Sequence, residues 1–200
     1  MLRYVVGIDE VGRGPLAGPL FVSAFCYPSR SIIIKNLLNN FRDSKELSPE
    51  KREELFKKAD EACRKGLAKY AISYSRASSI DKYGISKVTF LAVKRSLKKL
   101  KVNPKYCLVL LDGSLKAPPE YKNQKTIIKG DKKVKAISCA SVLAKVKRDR
   151  FMVRISKIYP EYQFEKHKGY GTLLHRNLIK KHKPSEIHRM SFLKNLNLNI

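Results

Sequence analysis

The chain has 200 residues, of which 43 are Lys or Arg and 17 are Asp or Glu, a formal net charge of +26. At 43% hydrophobic and 30% charged it is neither disordered nor fibrous, and its length suits one domain with a real core. No apolar run approaches the roughly 20 residues of a bilayer span, and "MLRYVV" lacks the features of a secretory signal, so a cytoplasmic protein off the membrane is expected.

Residues 3–9 and 20–27 ("LFVSAFCY") read as two strands joined by a glycine-rich loop. "SPEKREELFKKADEACRKG" reads as a helix, with Ser48 as N-cap, Pro49 at the first helical position and Gly66 as its stop. "YAISYS" alternates Tyr70, Ile72 and Tyr74 on one face, a strand period. "ISKVTFLAVKRSLKKL" repeats apolar residues at helical spacing. "YCLVLLDG" is short and continuously apolar, which suits a strand covered on both faces. "KTIIKGD" is expected as another strand, followed by a long helix over 134–157. From about residue 160 the chain becomes loop-like, then runs into short basic helical pieces. The alternation predicts an α/β fold with a mixed sheet: a core over 1–160 and an extension over 161–200 packed on it, one domain overall. The four separated cysteines, Cys26, Cys63, Cys107 and Cys139, form no C-x-x-C pair and are expected as buried thiols.

Three places attract attention as chemistry. Asp9 and Glu10 close the first strand, and Asp112 closes "YCLVLLDG"; if those strands are neighbours, their terminal carboxylates lie side by side at an edge where α/β proteins place sites. In the helix "AISCASVLAKVKRDRF", Ser138, Lys145 and Asp149 fall within a wedge of roughly 40°, opposite Ala136, Ala140 and Leu143. Asp112-Gly113 also suits a plain turn, and Asp149 also suits an ion pair with Lys145 or Arg148. Acids gathered in so basic a protein would raise one another's pKa unless a cation sat among them, and hard divalent ions are the natural occupants. Such a site inside a basic surface fits phosphodiester cleavage, because the charge draws polyanions.

"GRGPLA" matches a dinucleotide-binding pattern, but Gly18-Pro19 leads straight into a strand where that motif must open a helix. What remains is a loop whose bare backbone can approach a ligand, with Arg13 available to an anion.

Taken together, "GIDEVGRGPLAGP", "DSKELS", "LLDG", "KGD", "SVLAKVKRD", "HKGYGT" and "PSEIHRMSF" stand in the order and spacing of ribonuclease HII, the type 2 ribonuclease H, and the chain resembles its bacterial branch from about residue 5 to 192. The resemblance implies a ribonuclease H-like fold, a mixed five-stranded sheet flanked by helices with a helical C-terminal extension. It implies four acids, Asp9, Glu10, Asp112 and Asp149, holding two Mg²⁺ or Mn²⁺ ions. The implied substrate is a ribonucleotide paired with DNA, in a hybrid or embedded in duplex DNA, cut on its 5′ side to leave 3′-hydroxyl and 5′-phosphate ends. It assigns sensing of the 2′-hydroxyl and neighbouring sugar to Gly12, Arg13, Gly14 and Tyr170, and phosphate contacts to Ser44 and Lys45. Asp131 is a candidate outer metal ligand or structural residue. Departures are Cys139 where alanine is usual, Lys147 before the last "RD", and the irregular "DGSLKAP". His167, His175, His182 and His188 lack zinc spacing and are expected as nucleic-acid contacts or structure, and a monomer is expected.

Overall fold

A computed structural model describes residues 1–41 and 47–194. Its centre is a five-stranded sheet ordered β3-β2-β1-β4-β5. β1 (Tyr4–Val11) and β2 (Leu20–Pro28) form the expected antiparallel hairpin, and β3 (Lys69–Ser75) adds antiparallel to β2. On the other side β4 (Cys107–Asp112) lies parallel to β1, and β5 (Gln124–Ile127) parallel to β4. The mixed sheet expected from the sequence is therefore present.

Alternation along the strands sorts the core into two layers. Val6 and Ile8 of β1 pack with Val22 and Ala24 of β2 and Val109 and Leu111 of β4 beneath α4 (Ile85–Leu100), which contributes Val88, Ala92, Val93 and Leu97. The opposite face carries Phe25 and Tyr27 against α1 (Ile32–Leu38), α2 (Pro49–Arg64) and α6 (Lys135–Ser156). The capping chemistry of α2 is as read: Ser48 Oγ accepts from Lys51 N at 3.2 Å, and the Gly66 amide closes the end on Cys63 O at 3.0 Å. A short α3 (Ala77–Tyr83) precedes α4, from which Gly84 separates it.

Helix α6 is the axle of the molecule, buried nearly all round from Ala136 to Ala144. It lies against β1 at Gly7, where an added Cβ would sit 2.2 Å from the Ala136 carbonyl carbon. That approach needs the missing side chain, since backbone cannot yield as a flexible tip can. Ala140 and Leu143 continue the contact on the face expected from their spacing.

One element differs. The strand expected over 125–131 stops at Ile127. Lys129 adopts φ 55°, and the chain turns into α5 (Gly130–Lys133), which folds residues 130 and 131 back over the end of β4. Beyond α6 come α7 (Phe164–His167), α8 (Leu173–His182) and α9 (Met190–Leu193). Phe164, Ile179 and Leu193 from this region share a cluster with Leu16, Ala17 and Met152. Of the cysteines, Cys26, Cys107 and Cys139 are buried, Cys63 is half-buried, and all four are free thiols.

Gly7→Ala should destabilise the protein by at least about 2 kcal/mol, since added volume in a packed interior costs about 1–3 kcal/mol or more. A urea midpoint equal to the parent's would mean that α6 does not ride so close to β1.

Candidate active site

The β1–β4 pairing ends at Ile8↔Leu111, so Asp9 stands beside Asp112, the last residue of β4; Asp9 and Glu10 do not close β1 as expected, because the hairpin pairing with β2 carries it on to Val11. Asp131 joins them from α5: among the described residues, ligand atoms of Asp9, Asp112 and Asp131 all lie within 4.8 Å of one another. Asp112 Oδ1 accepts from the Gly130 amide at 2.6 Å and the Asp131 amide at 3.2 Å, so the carboxylate that ends β4 also fixes the turn that delivers Asp131.

Asp9 is buried, and burial first, then the charges of Glu10 and Asp112, hold its carboxyl well above the usual range; a Ser141 hydroxyl bond and the Glu10 amide pull partly the other way. Glu10 lies beside it, with Oε1 3.9 Å from Arg13 Nη1. A cluster of oxygen donors that repel one another in a dry corner suits a hard divalent cation, which would relieve the repulsion and satisfy the donors. The residues therefore fit the ion chemistry expected of them.

Asp149 does not join this group. Ser141 is the α6 residue that reaches Asp9, and Asp149 lies eight residues farther along the helix, about 12 Å at 1.5 Å per residue. Its Oδ1 instead accepts from Lys145 Nζ at 3.0 Å. Both line a groove with Arg52, Lys147, Arg150 and Lys168, whose walls include none of the clustered carboxylates. Asp131, a candidate outer ligand or structural residue in the sequence, stands instead in the first group of carboxylates, delivered by the turn that replaces the expected end of the "KTIIKGD" strand. Ser44 and Lys45 lie outside the described residues.

The glycine loop is held by its carbonyls. Arg189 donates Nη2 to Gly12 O at 2.6 Å and to Gly18 O at 2.7 Å, Nε to Gly18 O at 2.9 Å, and Nη1 to Arg13 O at 2.9 Å. Arg148 donates Nε to Pro19 O at 3.1 Å and Nη2 to Ala17 O at 3.2 Å. Gly12 is required by its φ of +90° and by the Arg148 side chain 2.4 Å from where a Cβ would stand. Gly14 is different: it is exposed, and a Cβ there would meet nothing within 4 Å. Its bareness serves no packing purpose inside the chain. The Arg13 side chain is turned toward Glu10, so its expected anion is in part internal.

Tyr170 is half exposed, and the Arg148 guanidinium sits 5.7 Å from its ring centroid. The preceding Gly169 carbonyl accepts from Leu16 N at 2.8 Å, and Arg189 N donates to Leu16 O at 2.8 Å, so the loop, the tyrosine and "IHRMSF" meet at one place.

Three of the four histidines are structural. The Ser185 amide donates to His188 Nδ1 at 3.0 Å, which leaves His188 Nε2 to donate to His175 Nε2 at 3.2 Å, and His175 Nδ1 to donate to Tyr170 O at 3.0 Å. His167 stacks on His175 with ring centroids 4.2 Å apart. Each ring must stay neutral for this chain of bonds. Burial brings His175 down to about 3 and His188 down to about 4. His182 is exposed.

The family described as Ribonuclease HII has a sequence model that matches residues 6–195. A ribonuclease HII of Caldicellulosiruptor bescii is 48% identical over 97% of this chain and 88% of its own length. One of Clostridium perfringens is 43% identical over 97% of this chain and 68% of its own length. Among solved structures, the ribonuclease H2 of Pyrococcus horikoshii superposes with a TM-score of 0.75 at 24% identity, covering 98% of this chain and 96% of that one. Bst-RNase HIII, solved in complex with Mn²⁺, gives 0.74 at 17% identity over 98% of this chain and 69% of its own. These two likenesses concern the fold.

Two measurements test the site's electrostatics. Asp9 has a folded pKa raised above 3.8, so the stability carried by its neutral form is present below pH 3.8 and lost as pH rises through the folded value. At pH 7 without metal, Asp9→Asn should therefore raise Tm, by about 2–4 °C per kcal/mol relieved, and remove the rise that Mg²⁺ or Mn²⁺ gives the parent. A less stable variant, or a parent indifferent to both ions, would contradict this. The histidines run the other way. Their folded values lie below the ordinary 6.5, so their contribution is present above pH 6.5 and lost as pH falls toward 4. Urea midpoints at pH 6.5 and 4.5 should separate more in the parent than in His175→Gln; equal separations would show that the rings do not carry the effect.

Proposed function

Because the chain belongs to the ribonuclease HII family, we propose that it hydrolyses the phosphodiester on the 5′ side of a ribonucleotide, either in an RNA–DNA hybrid or embedded in duplex DNA. The products carry 3′-hydroxyl and 5′-phosphate ends, and the cellular role is removal of ribonucleotides from DNA. One observation supports this reading above the rest: three carboxylates from separate parts of the chain meet at one sheet edge, beside a loop whose backbone is open to a ligand.

Asp9, Glu10, Asp112 and Asp131 are the residues proposed to hold Mg²⁺ or Mn²⁺. When bound, such ions supply charge stabilisation for the attacking water and the leaving oxygen. The geometry favours Asp131 over Asp149 in that set. Asp149, paired with Lys145 in the basic groove, is better suited to steadying lysine and arginine contacts with the duplex backbone.

Substrate choice falls to the other side of the site. The 2′-hydroxyl distinguishes RNA from DNA at a single position. The backbone of Gly12, Arg13 and Gly14 can bond to it without a side chain in the way. The exposed Tyr170 ring offers a flat apolar surface to the following sugar, where an extra hydroxyl would be unwelcome. Ser44 and Lys45 are proposed phosphate contacts. Among the described residues no helix is long and apolar enough to cross a membrane, and the +26 charge supports a polyanionic partner.

Two DNA duplexes that differ by one 2′-hydroxyl provide the test. The parent should nick only the ribose-containing duplex, on the 5′ side, and only with Mg²⁺ or Mn²⁺. Asp131→Asn should lose about 100-fold or more in nicking and Asp149→Asn less than about 10-fold. The reverse ranking would return the fourth ligand to α6, and equal nicking of both duplexes would end the assignment.

A further inference from the structure

We infer that Arg189 is a positioning residue for recognition of the ribose: by drawing the Gly12 and Arg13 carbonyls inward it turns the amides of Arg13 and Gly14 outward, toward the 2′-hydroxyl. This rests on the substrate reading above and adds the device that makes it selective.

The argument is peptide geometry. Among the described residues there are no cis peptide bonds, and in a trans peptide the carbonyl of one residue and the amide of the next point in opposite directions. Arg189 takes Gly12 O at 2.6 Å and Arg13 O at 2.9 Å from the protein side. The next amides, those of Arg13 and Gly14, must then face away from it. Among the described residues neither amide donates a hydrogen bond, and the space beyond Gly14 is open. Two successive amides facing one way make a small cradle for an oxygen atom.

Only arginine fits this task. The carbonyls of Gly12, Arg13 and Gly18 are reached by three nitrogens of one planar fork, 171 to 177 residues away in sequence. A lysine in its place has one nitrogen and cannot span them. Arg148 extends the same arrangement to Ala17 and Pro19 and carries the Tyr170 ring, so the amides and the aromatic surface are set by two neighbouring guanidinium groups. Arg189 is fully buried with no carboxylate in ion-pair contact among the described residues, a costly placement that simple packing does not require.

The test compares the parent with Arg189→Lys. Cleavage of the one-ribonucleotide duplex gives kcat/KM, and the matched all-DNA duplex, used as a competitive inhibitor, gives Ki. Arg189→Lys should lower kcat/KM on the order of 10²-fold, the effect of misplacing a reacting group by about 1 Å, while Ki moves less than about 3-fold. A second measurement does not depend on that variant folding. In an Asp9→Asn background, which leaves the duplex intact, the Arg13 and Gly14 amides should exchange rapidly in the free protein. They should become protected by the ribonucleotide duplex and not by the all-DNA one. Cleavage within 3-fold of the parent, a Ki that rises in step with the loss, or amides protected without substrate would each overturn the inference. A parent that cuts both duplexes alike refutes the substrate reading itself, a different failure visible before any variant is made.

Discussion

Two buried guanidinium groups, Arg148 and Arg189, hold a turn by its carbonyl oxygens, and the remainder of the site is arranged around that fact. A buried positive charge is expensive unless it is well bonded, and here the bonding comes from backbone, not from acids. Burial, with the neighbouring Arg148 charge adding to it, pulls Arg189 down to about 9, so it remains charged at neutral pH. The loop between β1 and β2 cannot relax without stranding these charges. It therefore keeps one conformation although it is rich in glycine, and an open backbone becomes a rigid one.

The carboxylates lie under the opposite constraint. Asp9, Glu10, Asp112 and Asp131 belong to a protein with 43 basic residues, yet Lys and Arg are not what neutralises Asp9. Arg13 Nη1 stands 3.9 Å from Glu10 Oε1, and Lys145 of α6 is paired with Asp149. Asp9, Asp112 and Asp131 thus bring oxygen donors within 4.8 Å of one another inside a strongly basic protein, a donor set that suits a hard divalent cation.

Much of this was legible in the residues. The hairpin, the α4 boundaries and the caps of α2 followed from spacing and from Ser48, Pro49 and Gly66, because those signals are local. The neighbourhood of Asp9 and Asp112 followed from their places late in adjacent strands, although pairing with β2 carries β1 two residues past Asp9. The overlong strand before Asp131 has a physical source: "TII" has strand propensity, and the left-handed Lys129 together with two amides on Asp112 Oδ1 bends the following residues into a turn. That is a tertiary bond, invisible to periodicity. The position of Asp149 was not legible for the converse reason, since a helical wedge states which residues share a face and not how far along the axis they lie. The roles of Arg148 and Arg189 were hidden because their partners are backbone atoms well over a hundred residues away.

The same reasoning explains why the C-terminal region must accompany the sheet. A β1–β2 turn with six guanidinium contacts to its carbonyls gains its order from residues after position 147, and Tyr170 is fixed by Arg148 below and by the Ser185–His188–His175 chain of bonds above. Because each histidine in that chain both gives and accepts, its direction is determined and it ends on the Tyr170 carbonyl. An aromatic ring on a glycine-flanked loop would otherwise sample many orientations, at an entropic cost met again on each encounter with substrate. The extension thus orders the glycine loop and the Tyr170 segment through bonds that the chain itself supplies, with no ligand needed to hold them.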